Sequence, residues 1–135
     1  YTNAELRALA DAWNPDALHE RSDNPEDMEA RDEAFHMALA EGGGNLALVG
    51  YLADINRRIR IIRRLDFTHD ERVDKTCEEH HALCRLLLER DLTRAQALMR
   101  EHITRSENFA KTLTLTQLAR KRFAMPARRP GGSAG

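Results

Sequence analysis

Asp32, His36, His80 and His102 are the residues of this chain whose types and spacing could do chemistry. Each falls within an apolar stripe at helical spacing, where a polar side chain needs a reason to be. Met28, Asp32, Phe35, His36 and Leu39 share one face, which stacks Asp32 and His36 one turn apart. Val73, Cys77, His80, Cys84 and Leu87 make a second stripe, and Ala95, Leu98, Met99, His102, Ser106, Phe109 and Leu113 a third. One carboxylate and three imidazoles from three helices can therefore converge on one point. Imidazole nitrogen and carboxylate oxygen suit zinc, nickel, cobalt, iron or manganese, and an i, i+4 pair is a natural chelate. Four protein ligands also leave one or two positions of a five- or six-coordinate ion to water or a small carboxylate. A single histidine on an apolar stripe is more often a core residue bonded to a carbonyl. Four polar residues in compatible registers favour one shared metal site.

The elements that must position these residues are helical, and no stretch alternates convincingly as a strand. Leu6, Leu9 and Trp13 mark a short first helix that stops at Asn14 and Pro15. Asn24 caps a second, with Pro25 in its first turn and Glu26 and Asp27 at its positive end. It runs to about Ala40, where Gly42, Gly43 and Gly44 end it. From Asn45 to about Leu65 a third helix carries Leu48, Leu52, Ile55, Ile59 and Ile62 on one side, and Arg57, Arg58, Arg60 and Arg64 mostly on the other. Thr68 and Glu71 fit a capping box for a fourth helix ending near Arg90, and Asp91 opens the last, from about Leu92 to Phe123. Short connections between long amphipathic helices predict an all-α antiparallel helical bundle.

Composition sets the class. The 135 residues are 41% hydrophobic and 32% charged with a formal net charge of −1, enough for one domain with one core and no electrostatic footprint for nucleic acid. The apolar runs are too short to span a bilayer. Cys77 and Cys84 are about 10 Å apart along one helix, too far to pair, so reduced thiols and a cytoplasmic location are expected. The end differs: Arg120, Lys121, Arg122, Arg128 and Arg129 stand beside Pro126 and Pro130, and 124–135 reads as a disordered basic, Gly-rich tail.

Two other constellations are weaker. Glu33-x-x-His36 and Glu78-x-x-His81 imitate the paired motifs of di-iron bundles. Yet Glu33 is turned about 100° from Asp32, and Glu78 and His81 share a stripe with Asp74 and Arg85 that reads as solvated. Cys77, His80, His81 and Cys84 cannot wrap a tetrahedral zinc ion from one straight helix, so the cysteines read as packing residues. His19 and His69 fall in connecting segments.

The string Asp32-Glu33-Ala34-Phe35-His36 is followed by Gly44-Asn45 and a long helix, then by Glu78-Glu79-His80 and Met99-Arg100-Glu101-His102. From about Thr2 to Phe109 this resembles the C-terminal effector-binding domain, called FCD, of GntR-family transcription regulators of the FadR subfamily. The resemblance implies an antiparallel bundle of six or seven helices holding one divalent metal, zinc or nickel ahead of manganese or iron, through Asp32, His36, His80 and His102. It also implies a small carboxylate metabolite beside the metal, a homodimer, and operator binding only through an N-terminal winged-helix domain. Family members carry that domain and then a first effector-domain helix ahead of the matching region, and both are expected to be absent from this chain. Around such an effector, Asn56 and Arg63 at the edge of the Leu52, Ile55 and Ile59 stripe, and Ser106 one turn beyond His102, are the candidate contacts. A sensor is the leading reading. A metal-dependent enzyme is the alternative, opposed by the lack of a spare inward Glu or His to act as general base.

Overall fold

The structure is a computed structural model, and it describes residues 1–20 and 24–123. Five α-helices make up the described residues: α1 (Asn3–Ala12), α2 (Pro25–Gly42), α3 (Leu46–Asp66), α4 (Asp70–Leu88) and α5 (Leu92–Phe123), with a 3₁₀ segment, Pro15–Glu20, between α1 and α2. Local chemistry places their ends. Thr2 and Glu5 form a reciprocal capping box at α1, and the Asn24 and Asn45 side chains accept from Glu26 N–H and Leu48 N–H at the starts of α2 and α3. The Thr68–Glu71 capping box is not formed. α3 continues to Asp66, the Thr68 hydroxyl donates back to the Leu65 carbonyl at 2.7 Å, and His69 precedes α4 without a side-chain cap. α4 ends in a Schellman motif, with Asp91 N–H bonded to Leu86 O and Arg90 N–H to Leu87 O, so Arg90 adopts φ +59°.

Neighbouring helices run antiparallel, as their cross-links show. Between α2 and α3, Glu29 meets Arg64, Asp32 meets Arg63 and Glu33 meets Arg60, each step forward on α2 matching a step back on α3. Between α4 and α5, Arg72 meets Ser106 and His80 meets His102. Between α1 and α4, Asn3 meets Arg90 and the Ala10 carbonyl meets His81. His81 is thus a partly buried α1–α4 link, not part of a solvated stripe, whereas Glu78 is exposed beside Lys75.

α4 is the central helix, packed on α1 along one side and α5 along another. That position explains why it buries two stripes rather than one: Val73, Cys77, His80 and Cys84, and beside them Arg72, Thr76, Glu79 and Leu83. Around it the core gathers Trp13, Met28, Phe35, Phe67 and Ala95, with both cysteines buried as free thiols. Burial pushes the Cys84 thiol up to about 11, so it packs as a small apolar group. Complete burial of Phe35, 1% exposed, stabilises the fold by roughly 2 kcal/mol.

α3 contributes little to the core. Its apolar stripe does not enter the core: Leu48, Ile55 and Ile62 are exposed, and the residues it buries are Asn56 and Asp66. The stripe lines an open cleft instead, because α3 packs mainly on α2 and α5. Among the described residues no helix is long and apolar enough to cross a membrane. The expected tail, 124–135, lies outside the described residues.

Candidate metal centre

The α2 N-cap, the α4 core stripe and the antiparallel α4–α5 pairing bring Asp32, His36, His80 and His102 together. One ligand atom from each lies within 4.8 Å of all the others. Asp32 Oδ1 is 3.2 Å from His80 Nε2 and 3.5 Å from His36 Nε2, and His80 Nε2 is 3.3 Å from His102 Nε2. Two donors each about 2.1 Å from a common ion stand about 3 Å apart at right angles and about 4 Å apart when opposed. The four groups could hold a metal ion of the kind that takes nitrogen and oxygen ligands. Neither Glu33, paired with Arg60, nor the buried cysteines join the cluster.

Three of the four cluster residues are held by groups behind them. Asp32 divides its carboxylate: Oδ1 faces the histidines, while Oδ2 forms an ion pair with Arg63, its Nε 2.7 Å away. The His102 ring is set by Glu79, whose Oε2 accepts from Nδ1–H at 3.1 Å and so leaves the Nε2 lone pair facing the cluster. Arg105 in turn bonds the other Glu79 oxygen. His80 is placed by packing: its ring stacks on Phe35 at 3.7 Å and meets the Trp13 edge at 4.4 Å. Its Nδ1 has no hydrogen-bond partner among the described residues.

Burial and charge prepare the groups for this task. His80 and His102 are 1% and 6% exposed, and desolvation holds both imidazoles below the ordinary histidine range, hence neutral and able to donate. Burial works to raise the Asp32 carboxyl as well. The His36 hydrogen bond, with the field of the Arg63 guanidinium, outweighs it and keeps Asp32 ionised, well below the usual carboxylate range.

Beside the cluster a cleft of about 790 Å³ opens between α3 and α5, with Asp32, His36 and His102 at its base. Leu52, Ile55, Ile59 and Ile103 form its walls, and Asn56, Arg63 and Ser106, the sequence-derived effector candidates, all line it. Asn56 is fully buried, with Oδ1 accepting from Arg63 Nη1 at 3.0 Å, and Ser106 Oγ accepts from Arg72 Nη2 at 3.0 Å. This volume and mixture of apolar walls with a few convergent polar groups suit a small organic ligand.

Sequence reasoning missed Glu79, Asp66, Arg72 and Thr76. Glu79 is an inward carboxylate, contrary to the expectation that none was present, but it is committed to His102 and Arg105. The signal was available for α4: Arg72, Thr76, Glu79 and Leu83 repeat at helical spacing and end on a leucine, as the buried second face of a central helix would.

No curated protein and no solved structure matches the chain significantly. The FCD domain, in contrast, matches residues 1–105, most of its length, and the match spans all four cluster residues. The chain therefore belongs to the FCD domain family, the C-terminal effector-binding domain of GntR-family regulators of the FadR type.

Proposed function

We propose that this domain senses a small carboxylate metabolite through one divalent metal ion held by Asp32, His36, His80 and His102. The observation that carries this reading is the buried convergence of one carboxylate oxygen and three imidazole nitrogens within 4.8 Å, at the base of an open cleft. Bound there, the ion would supply a positive centre for a carboxylate; zinc or nickel would suit the nitrogen-rich donor set, with manganese or iron as further candidates. Arg63 and Asn56 line the same base, so an effector carboxylate meets a guanidinium as well. Regulation follows if the effector favours one arrangement of α3 against α5 over another, since a ligand shifts an equilibrium only by its differential affinity for the two states. A homodimer carrying winged-helix domains would pass that shift to operator DNA. Regulators of this family are generally not enzymes.

The test is thermal unfolding of metal-loaded and chelated protein against a panel of small carboxylates. Stabilisation that needs both metal and carboxylate supports the sensor. A metal that stabilises the fold while no carboxylate adds to it would leave a structural ion and remove the sensing role.

A further inference from the structure

The cleft holds a second polar region that the metal cluster does not use. Arg72, on the first turn of α4, is 6% exposed, and its guanidinium lies over the Phe109 ring with Nη2 on Ser106. Among the described residues its Nε has no hydrogen-bond partner, and neither do the side-chain atoms Asn56 Nδ2 and Asp66 Oδ1, from two α3 residues that line the same cleft. All three side chains are more than nine-tenths buried. Buried polar atoms without partners are costly, so three on one cavity mark a place shaped for something polar. Ser106 stands one helical turn past His102, which sets the Arg72 guanidinium roughly 6 Å along the cleft from the cluster end.

We propose that the effector is a short-chain dicarboxylate, one carboxylate at the Asp32–histidine cluster beside Arg63 and the other at Arg72. This rests on the carboxylate-sensing reading above and narrows it. Arg72 offers an unused N–H donor of the kind a second carboxylate needs, and an arginine fork matches carboxylate geometry. Asp66 would oppose an anion if ionised, but burial pushes its carboxyl up to about 6 against the pull of Arg72, so it takes up a proton readily when an anion arrives. Aliphatic walls from Leu52 and Ile59 suit the methylenes between the two ends.

Calorimetric titration of the zinc-loaded protein with succinate, glutarate and the monomethyl ester of each tests this. A diacid should bind at least tenfold tighter than its own ester, and Arg72→Gln should bring the diacid to the level of the ester while leaving the ester unchanged. Equal affinities for diacid and ester in the wild-type protein would overturn the inference alone, as would tighter binding of the ester; Asp66 would then be the partner that neutralises Arg72. A diacid preference that survives Arg72→Gln would overturn the role of Arg72. Binding of neither ligand to protein shown to hold zinc would overturn the inference and the carboxylate reading together. The wild-type comparison decides the matter even if the variant does not fold.

Discussion

Replacing Glu79 with glutamine separates a residue that tunes a metal site from one that merely fills space. Glu79 is 6% exposed and joins His102 Nδ1 at 3.1 Å to Arg105 on its other oxygen. Glutamine keeps the volume and one acceptor but removes the charge that raises the basicity of His102 and fixes its tautomer. Loss of such a partner weakens metal binding roughly 10- to 100-fold, or about 1.4–2.7 kcal/mol. The unfolding midpoint of the metal-free protein should move little, because Arg105 is 41% exposed and regains water. Competition against a chelator of known affinity reads the first quantity, and thermal unfolding in chelator reads the second. Metal affinity within twofold of wild type, together with a large fall in metal-free stability, would refute the positioning argument.

Other perturbations act on separate features. Acidification should destabilise the metal-free protein: burial keeps His80 and His102 below the ordinary value of 6.5, so the unfolded chain takes up protons there first. Stability present above pH 6.5 is therefore lost as pH falls through and below it, which urea unfolding between pH 7.5 and 5 will show. Asp66 works in the opposite direction, since its carboxyl is raised to about 6, and the stability it contributes at low pH is lost as pH rises through that value. Asp66→Asn should thus be more stable than wild type at pH 7.5, with the gain shrinking as pH falls towards 4. Gly44→Ala should cost about 1 kcal/mol, or about 4 °C in unfolding temperature. A Cβ there meets nothing within 4 Å, so the φ of +72° alone sets that cost.

Much of the site was legible because its ligands break the apolar pattern. Asp32, His36, His80 and His102 each interrupt a stripe, and helix ends marked by Asn24, Asn45 and Asp91 hold their places. The supporting residues were hidden for a physical reason. Glu79 and Arg72 lie on a second face of α4, and a polar residue on a face not yet known to be buried looks like solvated surface. The α3 stripe shows a different limit: Leu52, Ile55 and Ile59 mark an apolar face, and periodicity does not report that a cleft rather than the core lies against it. Thr68 misled because its hydroxyl had a nearer acceptor, the Leu65 carbonyl, than the amides of α4.

Mass-spectrometric quantification of metals in the purified protein, beside a His80→Ala, His102→Ala double variant, bears most directly on the metal centre. One equivalent of a divalent transition metal per chain, lost in the double variant, is the expected result. No bound metal after reloading, or two irons per chain, would contradict a mononuclear site built from Asp32, His36, His80 and His102.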